Sequence, residues 1–441
     1  MLKRDSRNAV WEDHTTTNPK LLTQKEEIIS WLDRVRSSDR FEVEPIALTK
    51  SNAWVQEQGT IRHVSGRFFG IIGLTWLDER TQYWQPFIDQ REVGTLGFIV
   101  RRREGGIDLL VQAKTEPGNV GIVQLAPSCQ ATTSNRERIH GGDAPPYSEY
   151  FFGSMGNIIS NSLQSEQGTR FCGKLNRNIL VLDDHVEAKY DQHCWIPFHL
   201  LNQLLTEDFL VNTDARSVLC TTDWSLLAGR SPFPGTDEFS RGLKSSFRVP
   251  VRRDVVDNVF TTLEALRMAA PKIETCALSS MPGWRFDADN PITMTDGRLS
   301  IRHVHVHAQT REVNDWDQPI FDNNFEQVIN LDFGRADNLL QFAFRPCWEP
   351  GLRAIAELGP TAITIPASFT SAGEVKISVR QSDEGGRFFR DVAEYQIIDI
   401  GEAQPAKGII WLTLSEVMVL LPRGVFNNEA RSALSLLLSR A

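Results

Sequence analysis

Val111–Asn135 reads VQAKTEPGNVGIVQLAPSCQATTSN, and the fold of the chain is decided by whether this stretch stands alone or is repeated. An apolar strand-like run, Ile107 to Val111, leads into a segment where Lys114 and Glu116 alternate onto one face. Pro117-Gly118-Asn119 forces a turn, the chain returns along Val120 to Leu125, and Pro127-Ser128 stops it before a polar tract without apolar period. The two strands deliver Gln112, Lys114, Glu116, Asn119, Gln124 and Asn135 to one neighbourhood. So many amides and charges are costly to bury unless something polar binds among them. Taken alone, the hairpin reads equally well as a solvated sheet edge.

A second copy tips the balance. Thr115-Glu116-Pro117-Gly118 returns as Trp348-Glu349-Pro350-Gly351, and the same spacing pairs Gln85-Pro86 with Gln318-Pro319, Ile122 with Ile355, Leu125 with Leu358 and Pro127 with Pro360. The amphipathic helix predicted at Glu26–Val35 (Ile28, Ile29, Leu32, Val35) has its counterpart at Val255–Met268. QSEQGTRF (Gln164–Phe171) recurs as QSDEGGRF (Gln381–Phe388), Trp195 as Trp411, and NTDARSVL as NNEARSAL. Blocks matching in one order from end to end mark an internal duplication. The expected fold is α+β, with one unit over 21–225, a linker at 226–250 and a second unit over 251–441. Where the first unit has Gln112, Lys114, Asn119, Gln124 and Gln130, the second has Arg345, Cys347, Leu352, Glu357 and Ile363. That asymmetry assigns the chemistry to the first unit.

Composition narrows the partners. A net charge of −9 over 441 residues, with no long basic run, argues against nucleic acid. No segment reaches the length of a membrane span. The six cysteines are scattered and Met1–Lys20 is polar throughout, so reduced thiols and a cytoplasmic setting are expected. His303, His305 and His307 share one strand face, but no further ligand follows at a recognisable spacing, and no metal site is assigned. Neither G-x-G-x-x-G nor G-x-x-x-x-G-K-[ST] is present, so arginines must hold any diphosphate. Arg136, Arg138, Arg170 and Arg177 are the candidates, with Trp76, Tyr83 and Trp84 available to stack on a base. His140 lies in a Gly- and Pro-rich loop of the kind that holds ligands.

WQPFIDQ (84–90), GTLGFIV (94–100), VQAKTEPGN (111–119), QLAPSCQATTSN (124–135), QSEQGTRF with NRN (164–178) and VNTDARSVL (211–219) together resemble the nucleoside-diphosphate-hexose 2,3-dehydratases of deoxysugar biosynthesis. REVNDWDQP, EPGLRAIAELGPT and QSDEGGRFF resemble the C-terminal repeat of that family. The resemblance implies a homodimer whose subunits each carry two tandem Nudix-like domains without the Nudix metal box. It implies a dTDP-4-keto-6-deoxyhexose as substrate, no cofactor, and an NAD(P)H-dependent 3-ketoreductase as pathway partner. On this reading Glu116 or His140 removes the C3 proton, and Lys114 stabilises the enolate or protonates the leaving hydroxyl. Gln112, Asn119, Gln124, Asn135 and Trp84 would orient the substrate while Arg136 and Arg170 pair with the diphosphate. Arg345, Glu349 and Arg353 would mark an altered second nucleotide site. A non-catalytic nucleotide-sugar binding protein of the same fold is the alternative.

Overall fold

The computed structural model describes residues 20–38, 40–132, 144–287, 292–309, 313–364 and 373–441. Asn135, Arg136, Arg138 and His140 lie outside the described residues.

Each half contains a seven-stranded sheet, and the two sheets are wired alike. In the first half Val93–Arg103 pairs in parallel with Leu175–Leu182 and antiparallel with Gly106–Thr115, which in turn pairs with Val123–Ala126 and His193–Pro197. In the second half Gln327–Ala336 pairs in parallel with Val392–Glu402 and antiparallel with Leu339–Trp348, which pairs with Ala356–Gly359 and Ile410–Leu412. The central strands are nearly continuously buried because both faces are covered. The architecture is mixed α/β and duplicated.

Helices cover these sheets through narrow apolar stripes. Lys25–Ser38 buries Ile28, Trp31, Leu32 and Val35, an i, i+3, i+4, i+7 set. Trp31 takes the place expected for Ile29, and Glu27 accepts from the Thr23 amide at 2.8 Å. Arg253–Ala269 buries Val256, Val259 and Leu263 in the matching position. The stretch 226–250 carries the helix Glu238–Arg248, with Phe239 and Leu243 buried and Ser246 Oγ donating to Leu340 O at 2.6 Å. One apolar core therefore runs from Ile28 through Leu243 to Leu438.

The halves also exchange parts. Glu42–Pro45 of the first half pairs with Leu299–His307 of the second, while Ile273–Cys276 of the second pairs with Gly70–Asp78 of the first. The repeated helices Thr213–Thr221 and Asn428–Ser435 meet, with Arg431 Nε donating to Ser217 Oγ at 3.1 Å. Arg216 and Arg431, the arginine common to both repeats, are fully buried, and each donates to a backbone carbonyl just ahead of its own helix. Their conserved place in the two repeats thus reflects packing rather than ligand contact.

Candidate functional site

The two Glu-Pro-Gly turns explain how the halves lock. Gly118 N donates to Gly385 O at 2.7 Å and Arg390 N to Gly118 O at 2.8 Å. Reciprocally, Gly351 N donates to Gly168 O and Gly173 N to Gly351 O, both at 2.7 Å. Each turn is seated on the Gln-Ser-x-x-Gly loop of the other half. Neither glycine needs a left-handed backbone; what each needs is the missing Cβ, because one at Gly118 would lie 2.6 Å from the Phe388 carbonyl carbon and closer still to its oxygen.

Beside the Gly118 lock opens a cavity of about 450 Å³ walled by both halves. The first half supplies Lys114 from the end of Gly106–Thr115, Glu116 and Pro117 from the turn, Gln130, Lys174 and Asn176, and Asp214 from the first turn of its helix. The second half supplies Asp315, Trp316, Asp317 and Gln318 from one strand, and Glu384, Gly386 and Arg387 from the exchanged loop. Trp54, Phe68, Phe69 and Leu96 make its apolar portion. Concave, part apolar, with a few convergent charges, it is built as a small-molecule site.

Its polar wall is preorganised. Lys114 Nζ lies 3.2 Å from Glu116 Oε1, both side chains being more than nine-tenths buried. Gln130 Nε2 donates to the same carboxylate oxygen at 3.3 Å, while Glu116 Oε2 has no hydrogen-bond partner. The Arg387 guanidinium lies 4.0 Å over the Phe69 ring and donates to Gln90 Oε1 at 3.3 Å. Gln318 Nε2 fixes the exchanged loop through Gly386 O at 2.7 Å. Burial raises Asp214 well above the usual carboxylate range, and the carboxylates of Glu384, Glu166 and Glu116 push the same way. Burial also lifts Glu166, behind Asn176, to about 7.

Of the residues singled out from the sequence, Lys114 and Glu116 line this cavity together with Gln130. Gln124 instead donates to Ser382 Oγ at 2.8 Å across the seam, and Asn119 donates to Ile122 O at 3.2 Å within its own turn. Gln112 lies in the strand register opposite Ala126 and His193. Arg170 donates to the neighbouring Thr169 O, and the Trp84 carbonyl accepts from Trp284 Nε1. Arg345 and Arg353 are exposed, whereas Glu349 is buried and accepts from Asn427 Nδ2 at 2.8 Å.

The histidines of Leu299–His307 hold acids at the cavity edge. His305 Nδ1 is 2.8 Å from Asp317 and His307 Nδ1 2.7 Å from Asp315, while burial lowers His303 to about 4. Among the described residues no group of three His, Cys, Asp or Glu side chains is arranged to hold a metal ion.

Lys174, Asn176, Asp214, Glu384 and Arg387 were not singled out from the sequence. The comparison of halves contained the signal: Lys174 corresponds to Asp391, Asn176 to Ala393 and Glu384 to Gln167. Arg387 is the counterpart of Arg170, and the exchange of loops gives this cavity the second-half copy.

Fold and site define a duplicated α/β protein of the enzyme kind, with a sheltered, charge-lined pocket walled by both repeats. The family model for NDP-hexose 2,3-dehydratase matches residues 25–221 and 257–437, one region per repeat. The chain belongs to that family. It is 31% identical over 439 residues to the dTDP-4-dehydro-6-deoxy-alpha-D-glucopyranose 2,3-dehydratase of Saccharopolyspora spinosa, covering 91% of this chain and 89% of the relative. Enzymes with the same description from Amycolatopsis orientalis and Streptomyces violaceoruber are 29% and 30% identical, covering 93% and 88% of this chain and 89% and 91% of their own.

Proposed function

We propose that this chain removes water across C2 and C3 of a dTDP-4-keto-6-deoxyhexose, giving a 3,4-diketo-2,6-dideoxy sugar nucleotide. The observation that carries this reading is the buried Lys114–Glu116 pair at 3.2 Å, on the wall of a cavity within the family-matched region.

The C3 hydrogen is acidified by the neighbouring C4 ketone, so its removal needs a base and a cation near the developing enolate oxygen. Glu116 has a free buried lobe, Oε2, with which to take that proton. Lys114 then meets the C4 oxygen from the side where Glu116 already holds it. Expulsion of the C2 hydroxyl as water leaves an enol that becomes the diketone, with no net redox change. Arg387, stacked on Phe69, is suited to pair with the diphosphate, a part first expected of Arg170.

Each half is read as Nudix-like in its layering, and a homodimer in the cytoplasm is the expected form. No described helix is long and apolar enough to cross a membrane. Because a 3,4-diketone is labile, an NAD(P)H-dependent 3-ketoreductase is the expected next enzyme. Incubating the purified protein with dTDP-4-keto-6-deoxyglucose and trapping with o-phenylenediamine tests the reading. Formation of a quinoxaline from the new vicinal diketone supports it; unchanged sugar nucleotide overturns it.

A further inference from the structure

Lys174 stands three residues beyond the QSEQGTRF motif, between Phe171–Cys172 and Leu175–Leu182, and is only 5% exposed. Lys174 lines the cavity, and its buried Nζ has no hydrogen-bond partner, although an ammonium carries three donors. A buried charged group left in this way is costly unless a ligand supplies the acceptor. Room for it depends on Gly94, where a Cβ would lie 3.1 Å from Nζ. The neighbouring Asn176 donates to Glu166, which accepts also from Asn428 Nδ2 at 3.0 Å, so the base of this wall is anchored in the second half. In the other repeat the equivalent Asp391 accepts from Asn323, so the unpartnered cation belongs to this cavity's copy.

The charges around Nζ act in both directions. Burial lowers its pKa most; Glu384, Glu92 and Glu166 raise it, and Arg387 lowers it. The balance is a lysine below its usual range, hence a stronger proton donor than a surface ammonium.

We propose that Lys174 is the general acid of the dehydration, delivering a proton to the C2 hydroxyl as it leaves. This rests on the 2,3-dehydration reading above. Glu116 takes the C3 proton and the electron pair passes to the C4 oxygen as an enolate; its return forms the C2–C3 double bond as the C2–O bond breaks, and the departing oxygen takes a proton from the Lys174 ammonium to leave as water. The amine then accepts the C3 enol proton while Glu116 returns its proton to C2. Both groups are restored, and one water is lost overall.

The test separates C3 proton removal from C2–O cleavage in Lys174→Met and Lys174→Arg, each checked against the parent's thermal midpoint. Exchange of C3–H with deuterated solvent reads the first step, and diketone trapping reads the second. Dehydration should fall about 10²- to 10⁴-fold in both variants, since arginine keeps the charge but is a poor proton donor. Exchange at C3 should stay within about fivefold. Fluoride release from the 2-deoxy-2-fluoro analogue, whose leaving group needs less protonation, should stay within about tenfold of the parent. Full dehydration in either variant overturns the proposal, and so does loss of exchange and fluoride release in step with dehydration, which would mark a binding or structural role. A parent enzyme that leaves the natural substrate unchanged would instead remove the dehydratase reading itself, a result visible before any variant is made.

Discussion

Gly118→Ala and Gly351→Ala form a matched pair that tests how the exchanged turns build the site. A Cβ at Gly118 would lie 2.6 Å from the Phe388 carbonyl carbon, and one at Gly351 would lie 2.9 Å from that of Phe171. Ordinary carbon–carbon contacts are about 3.5–4.0 Å and the carbonyl oxygens lie closer still, so each turn must withdraw by at least about 1 Å. That retreat stretches two hydrogen bonds in each lock, now 2.7 and 2.8 Å at Gly118 and 2.7 Å twice at Gly351, beyond useful range. Two such bonds contribute about 1–3 kcal/mol and the overpacking costs about 1–3 kcal/mol, giving about 2–6 kcal/mol lost at either position.

Activity should divide the pair where stability does not. Gly118 lies two residues from Glu116 in the same turn, so a 1 Å shift there misplaces the carboxylate and should lower kcat by up to about 10²-fold. Gly351 seats the other turn, and its carbonyl accepts from Gly173 N beside Lys174, so kcat should fall less, by no more than about tenfold. Urea midpoints and steady-state kinetics, taken below both transitions, give the two quantities. Equal kcat losses in the two variants would refute the assignment of the working site to the Glu116 turn. Retention of parental stability in both would refute the account of the locks.

Lys114→Met should lower turnover by at least about 10²-fold and destabilise by about 3–5 kcal/mol by stranding Glu116; adding Glu116→Gln should recover most of the stability, read by urea midpoint, without recovering turnover. Burial lifts the second repeat's Glu349 and Glu357 to about 7 and Glu429 to about 8, so the folded state holds protons that the unfolded chain has released. That contribution is complete below the ordinary 4.5 and is lost as pH rises through 7–8, so the thermal midpoint should fall between pH 6 and pH 8.5, and by less in Glu429→Gln. A chain ending at residue 225 should give no diketone and unfold or aggregate, measured by trapping and light scattering, because the shared core and the Arg387 wall are gone.

Periodic apolar spacing made the helices over Lys25–Ser38 and Arg253–Ala269 legible, since a stripe at i, i+3, i+4, i+7 constrains one helix by itself. The duplication was equally legible, because it is a property of the string of residues. Strand partnership was not. Glu42–Pro45 has the same alternation whether it pairs within its own repeat or, as here, with Leu299–His307 in the other. Lys114 and Glu116 were found because they flank a repeated turn, and Lys174 escaped because it lies just past the end of a repeated motif. Arg387 is not visible as a cavity residue from sequence alone, because nothing in the string shows that the cavity beside Lys114 is lined by the second repeat's copy of the loop.

The exchange also gives a physical reason for the two Glu-Pro-Gly turns to have different surroundings. Since each Glu-Pro-Gly turn is seated on the other repeat's Gln-Ser-x-x-Gly loop, a substitution in one loop acts on the opposite turn. Glu384 and Arg387 serve the pocket of Lys114, whereas their counterparts Gln167 and Arg170 belong to the loop that seats the Glu349 turn. There Leu352 replaces Asn119 and packs against Gly168, Cys347 replaces Lys114, and Asp391 replaces Lys174. Without those lysines, Glu349, Glu357 and Glu429 are held toward their neutral forms by burial, which suits them to a closed interface more than to a site for an anion. The second repeat is retained because its strand Asp315–Asn323 and its loop are half of the first repeat's wall. The residues packed around the Glu349 turn are therefore free to differ from those around Glu116, whereas the loop carrying Glu384 and Arg387 is not.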